Sequence, residues 1–256
     1  MVAREWMVAA NERFVRDYYD AVWVYGDPRV YDFAREYQLP PDVVRKIRHT
    51  GYFDQRARVD PDASTNQDFL AGLAIPPGPL AVCLVGGGQD GQRLAMAFAW
   101  ADLPEEMHGV ILTGPYMPSE VRVKLRERSA CNHRLHVIDH LIEPTRLLPY
   151  ATRVVSMGGY NSTWEILSYG KPALIVPRLT PRTEQWIRAE RLRRLGLLDV
   201  LHPDHLSPRA IARWLRSSSE LSVSPHQRID LRGLERMPRL LGDVLDGAVR
   251  QHVAAS

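Results

Sequence analysis

Arg153-Val154-Val155-Ser156-Met157-Gly158-Gly159-Tyr160-Asn161-Ser162-Thr163-Trp164-Glu165 runs on, through Ile166-Leu167-Ser168-Tyr169, to Gly170-Lys171-Pro172-Ala173-Leu174-Ile175-Val176. Residues 153–156 read as a strand, which the glycine pair breaks. A helix follows to Tyr169, Gly170-Lys171-Pro172 stops it, and residues 173–176 read as the next strand. Strand, turn, helix, stop and strand in so short a stretch form a βαβ unit, with parallel strands and a right-handed crossover.

The alternation extends both ways. Towards the N-terminus, strands are expected at residues 80–85, 109–113 and 134–138, with helices at 94–100, 119–128 and 144–150. Towards the C-terminus, a helix at 182–195 stops at Gly196, residues 197–201 form a sixth strand, and helices cover 207–216 and 229–246. Pro238 is expected to kink or divide the last of these. The fold class is therefore α/β: a Rossmann-like parallel sheet with helices on both faces, since the strands are apolar without polar alternation. Residues 4–19 and 30–37 read as helices and 21–25 as a short strand, followed by an extended run over 46–53. The polar stretch 54–68 then marks a boundary. The expected division is a partial N-terminal domain over 1–55, a linker over 56–78, the main domain over 79–228, and a C-terminal helix over 229–256 that returns to the N-terminal part.

The bulk properties restrict the class without naming it. A formal charge of +3 permits an anionic ligand or a peripheral membrane association and demands neither. Two cysteines exclude a disulfide framework and fit a reducing cytoplasm. No stretch is long and apolar enough for a membrane span or a secretory signal. The arginine-rich run 188–194 lacks an aromatic platform and reads as a solvated helix face, so no nucleic-acid partner is expected. His202-Pro203-Asp204-His205 reads as a turn rather than a metal site, and no metal is expected.

In a sheet of this kind ligands bind at the carboxyl ends of the strands, near the reversal in strand order. Three loops lie there. Gly86-Gly87-Gly88-Gln89-Asp90-Gly91 lets the backbone approach a phosphate and opens a helix whose first N–H groups are free. A ligand-free tight turn would use the same glycines. Gly158 to Glu165 repeats the arrangement, and a carboxylate at Glu165 can accept from two adjacent ribose hydroxyls. It would equally serve as a partner of the helix dipole, with Asn161 or Ser162 as the cap. After the fifth strand, Glu184 and Gln185 open a helix with several donors and acceptors suited to sugar hydroxyls, and Arg178 or Arg182 can neutralise phosphate charge.

These loops, with Gly170-Lys171-Pro172-Ala173-Leu174-Ile175-Val176-Pro177-Arg178 and Arg191-Leu192-Arg193-Arg194-Leu195-Gly196-Leu197, resemble the donor-binding C-terminal domain of GT-B glycosyltransferases. The nearest likeness is to the MurG-type N-acetylglucosaminyl transferases of glycosyltransferase family 28. The resemblance implies transfer of a sugar from a nucleoside-diphosphate sugar, a UDP-sugar above all, to an acceptor hydroxyl. It implies diphosphate contacts at Gly87, Gly88, Gln89, Gly158, Gly159, Tyr160 and Asn161, and a ribose contact at Glu165. The base would meet the backbone near Leu141, and the transferred sugar would meet Glu184 and Gln185. MurG-type enzymes carry paired glutamines at that last place, so Glu184 departs from the pattern.

The resemblance covers residues 78–216. A complete GT-B enzyme has a first domain of similar size bearing a glycine loop and the catalytic base, and residues 1–55 offer no counterpart. His49 is the nearest candidate base by position. The expectation is a truncated product or a half that works with a partner subunit. The alternatives are a donor-binding module inactive alone and a nucleotide-sugar epimerase of the same architecture.

Overall fold

A computed structural model describes residues 11–59, 68–180, 183–217 and 224–254. The chain divides into two compact units, Met1–Asp54 with His226–Ser256, and Gln55–Pro225.

The first unit opens with α1 (Asn11–Tyr18), β1 (Val22–Tyr25), α2 (Phe33–Glu36), α3 (Pro41–Val44) and β2 (Ile47–Gly51). Residues 4–10 of the expected first helix include only positions outside the described residues. β1 and β2 pair in parallel, with Val22 opposite Ile47 and Trp23 opposite Arg48. Val15, Leu39, Val43 and Ile47 form its small core.

The second unit starts with a 3-10 turn, Gln55–Arg58, which straddles the start of the expected linker, and α4 (Asp68–Gly72) within it. Then come β3 (Leu80–Leu84), α5 (Gln92–Ala99), β4 (His108–Leu112), α6 (Ser119–Ala130), β5 (Leu135–Ile138), a 3-10 turn (Pro144–Tyr150) and β6 (Arg153–Ser156). α7 (Tyr160–Ser168), β7 (Ala173–Ile175), α8 (Glu184–Arg194), β8 (Asp199–Val200) and α9 (Pro208–Arg216) complete it. The six strands lie in the order β5-β4-β3-β6-β7-β8, every neighbouring pair parallel. This doubly wound order reverses between β3 and β6, which places the ligand crevice at their carboxyl ends. All five residues of β3 are buried, as helices on both faces require. Phe98, Leu125, Leu147, Leu167 and Leu192 are fully buried around the sheet, and each such side chain contributes about 1.5–3 kcal/mol.

Several expected elements differ in detail. β8 keeps only two residues, because Leu197 and Leu198 turn into the core before the pairing begins. Residues 144–150 form a 3-10 turn, not an α-helix, with Pro149 inside it and so one N–H fewer to donate.

Residues 229–246 are not one helix. α10 (Pro225–Arg228) and α11 (Gly233–Ala254) flank a segment paired with the chain after β2. Tyr52 N–H donates to the Asp230 carbonyl at 2.8 Å, and Asp54 N–H to that of Leu231 at 3.2 Å. Those bonds hold the segment out of the helix. α11 then runs through Pro238 undivided, and Arg236 on it reaches the Thr50 carbonyl and, at 2.6 Å, the Asp230 carboxylate.

Candidate functional site

The loop after β3 is shaped by its neighbour after β4. Gly88 has φ +92°, and a methyl there would run into the Thr113 carbonyl and lie 2.8 Å from the Met117 nitrogen. Tyr116 N–H donates to the Gly87 carbonyl at 2.8 Å, while its ring, 72% exposed, stands against Gly87. After β6, Gly158 has φ +70°, and a methyl would lie 2.5 Å from the Ile175 side chain. Arg188, buried on α8, donates to the Gly158 carbonyl at 3.0 Å, pairs with Glu184 at 3.1 Å, and packs over the Tyr160 ring. Arg188 thus braces the turn from below.

Among the described residues, no side chain caps α5 at Gly91 or α7 at Gly159. First-turn amides have no intrahelical acceptor, and the dipole adds positive potential, so two helix starts at the switch point favour an anion. The loop after β7 adds a cation. Arg178 donates its backbone N–H to Gln185 Oε1 at 3.2 Å and its guanidinium to the Asp90 carboxylate at 2.6 Å.

Gly87, Gly88, Gln89, Asp90, Tyr116, Gly159, Ser162, Arg178 and Gln185 line one cavity of about 250 Å³. A neighbouring cavity of about 450 Å³ shares Gln89, Asp90, Met157 and Arg178 and continues over Arg93, Val176 and Leu206. Six of the expected residues therefore meet: Gly87, Gly88, Gln89, Gly159, Arg178 and Gln185. Gly158 is buried beneath them, and Tyr160 and Asn161 are exposed on the first turn of α7. Glu184 faces Arg188, Leu141 is half-buried after β5, and Arg182 lies outside the described residues. His49 stands on β2 in the other unit, its Nδ1 buried without a hydrogen-bond partner among the described residues.

Glu165 sits further along α7 in a cluster of its own. It is 8% exposed, and Arg58 lies 3.4 Å from it and 2.9 Å from Glu143. Burial pushes the Glu165 carboxyl above the usual carboxylate range; Arg58 opposes this, Glu143 adds to it, and the Thr145 hydroxyl opposes it.

Asp90, Tyr116 and Arg58 are not singled out by the sequence; Ser162 is read there only as a possible cap, and Arg188 only as part of a solvated face over 188–194, whereas Arg188 is 4% exposed and turns inward to the Gly158 carbonyl. Asp90 and Ser162 lie inside the glycine loops and could have been found there; the other three arrive from distant elements and leave no local signal. Among the described residues no three His, Cys, Asp or Glu side chains gather as metal ligands, and no helix is long and apolar enough to cross a membrane. His202 caps a 3-10 turn, Pro203–His205, by accepting the Asp204 N–H at 3.2 Å.

No family model matches the chain. An uncharacterised glycosyltransferase of Methanopyrus kandleri is 31% identical over 113 residues, which cover 44% of this chain and 32% of that protein. Among solved structures, the calicheamicin glycosyltransferase CalG4 matches 97% of this chain and 60% of its own, with a TM-score of 0.58 and 18% identity. The glycosyltransferase of kitacinnamycin matches 84% and 51%, with a TM-score of 0.54 and 16% identity. VinC, solved in complex with dTDP, matches 70% and 44%, with a TM-score of 0.51 and 22% identity. The chain thus has a GT-B-like glycosyltransferase fold, and it spans about a third of the curated relative and about half of the solved structures.

Proposed function

We propose that the chain carries the donor side of a glycosyltransferase, binding a nucleoside-diphosphate sugar whose sugar passes to an acceptor hydroxyl. One observation carries this reading. The two adjoining cavities at the β3–β6 switch point bring together the α7 start, a glycine loop and the Arg178 guanidinium in one and the α5 start in the other, a set of donors suited to a diphosphate. The acceptor oxygen attacks the anomeric carbon, the bond to the diphosphate oxygen breaks, and the acceptor's proton passes to a base. The charge left on the diphosphate is met by the loop amides, the α7 dipole and Arg178, with no metal in the reading. Glu165 takes the ribose, the backbone near Leu141 the base, and Glu184 with Gln185 the sugar.

The pattern of loops supports a MurG-like member of family 28 and a UDP-sugar, in a cytoplasmic setting that suits the two free cysteines. The dTDP bound to VinC makes a thymidine donor the first rival probe. A second reading, a donor-binding subunit that works with another chain, is favoured by the first unit, whose described residues form only a two-stranded sheet.

Calorimetry with UDP, UDP-N-acetylglucosamine, UDP-glucose and dTDP-glucose, with and without EDTA, tests the reading. Binding of at least one, unchanged by EDTA, is expected; silence with all four sinks it. Product analysis without acceptor then separates transfer from epimerisation, since only an epimerase returns an isomeric sugar nucleotide.

A further inference from the structure

The 3-10 turn Gln55–Arg58 docks on α7 along the face that bears Glu165. Gln55 donates its backbone N–H to the hydroxyl of buried Ser168 at 2.9 Å, and Ser168 lies three residues beyond Glu165 on the same helical face. Arg58 then spans two carboxylates. Its guanidinium meets Glu143 at 2.9 Å and Glu165 at 3.4 Å, while the Gln55 side chain accepts from it at 3.1 Å. Glu143 is itself fixed, since its other oxygen accepts the Thr145 N–H at 3.3 Å. Arg58 is thus held between one anchored carboxylate and one buried carboxylate.

We propose that Arg58 is a positioning residue for the donor ribose: anchored on Glu143, it keeps Glu165 ionised and oriented as a two-oxygen acceptor for vicinal hydroxyls. The inference rests on the assignment of Glu165 to ribose. An ionised carboxylate accepts from both hydroxyls, whereas a protonated one spends an oxygen as donor and loses the charge-assisted bonds. The charged groups acting on Glu165 are Arg58, from the 3-10 turn, and Glu143, from the loop after β5. Without Arg58, burial and the Glu143 charge act together to favour the proton. The 2.9 Å bond to Glu143 against 3.4 Å to Glu165 fits this arrangement, the firm contact serving as anchor and the looser one leaving room for hydroxyls.

The test is binding of a sugar nucleotide by the full chain as a function of pH. Sugar nucleotides are chosen because their esterified diphosphate does not titrate in this range, as the terminal phosphate of UDP does. UDP-glucose and UDP-N-acetylglucosamine, whose riboses carry both vicinal hydroxyls, are titrated into wild type, Arg58→Gln and the Arg58→Gln/Glu143→Gln double variant. Wild-type affinity should change by less than about threefold from about pH 8 to about pH 5.5, whereas Arg58→Gln should lose about tenfold over that range, one unit of carboxylate shift. The double variant should recover part of the loss, because the repelling charge is gone. If Arg58→Gln lowers affinity by the same factor at every pH, Arg58 is only structural and the proposal fails. If no donor binds wild type, the ribose assignment itself fails and takes the proposal with it. Should Arg58→Gln not fold, Arg58→Lys carries the test, because one ammonium cannot bridge both carboxylates. Its profile must then be steeper than that of wild type; a parallel profile overturns the proposal.

Discussion

At Gly158 the backbone has φ +70°, and a methyl would lie 2.5 Å from Ile175, whereas a methyl on Gly159 meets nothing within 4 Å. Gly158→Ala should therefore destabilise the protein by about 1–3 kcal/mol, from left-handed strain and overpacking. Gly159→Ala should leave stability within about 0.5 kcal/mol, like a surface change, and act on donor binding. Chemical denaturation of the two variants decides this; equal losses would show that the turn is not built as described. The sequence shows two adjacent glycines and does not tell which supports the fold and which faces the cavity. That difference comes from Ile175 on another strand, a contact no local pattern contains. Arg178 makes the converse case. The sequence marks it as a phosphate partner but is silent on Asp90, which holds it at 2.6 Å. Arg178→Gln should weaken donor binding by about 1.5–3 kcal/mol, the range for hydrogen bonds to a charged group, with little change in thermal stability, because the pair is exposed. An unchanged donor affinity would remove Arg178 from the site.

At the scale of the element, the parallel sheet was legible because its strands are buried on both faces and leave unbroken apolar runs. β3 and β4 follow from Leu80 and Val110 without any help from distant residues. The sixth strand lies within its expected range, but its limits, like those of the segment before α11, are not legible in the sequence because partners far away in the chain set them, Ile175 for Leu201 and Tyr52 for Asp230. Pairing of β4 with β5 has a further consequence. It sets His108 and His136 side by side, with Nδ1 of one 3.2 Å from Nε2 of the other. Burial holds both imidazoles below the usual histidine range, with His133 and Arg134 adding to the effect on His108, and His108 adding to it on His136. A neutral pair shares one proton in an N–H···N bond; a doubly protonated pair sets two donors and two charges face to face. The unfolded chain therefore takes up protons first as pH falls. The stability from this pair is present above the unfolded value of about 6.5 and lost as pH falls through the lower folded values. Tm should drop between about pH 7.5 and about pH 5.5, and the drop should shrink in His136→Gln. An identical drop in the variant would assign the acid sensitivity to other groups.

The whole molecule is assembled unevenly. Gln55–Pro225 is one continuous stretch with its own core, running from Ala81 and Phe98 to Trp214 and Leu215, and it holds the cavity, Arg178, Glu165 and Arg58. The other unit is assembled from both ends of the chain and closed by Tyr52, Asp54 and Gly233 N–H groups that donate to partners across that gap in sequence. A continuous stretch with a contiguous core can fold alone, and its size is that of an ordinary domain. A unit tied by two distant segments cannot survive loss of either, because each cut leaves buried backbone donors and acceptors unpaired at about 1–3 kcal/mol apiece. A fragment of residues 55–225 should therefore unfold in a single cooperative transition and bind the donor within about threefold of the full chain, a difference below about 1 kcal/mol. A chain ending at residue 225 should keep that transition, with residues 11–54 open to protease. Calorimetry, limited proteolysis and donor titration on these two shortened chains read this out. A fragment of 55–225 that folds without binding donor would show that the site needs groups from the other unit, and one that does not unfold cooperatively would show that the core described for it is insufficient on its own.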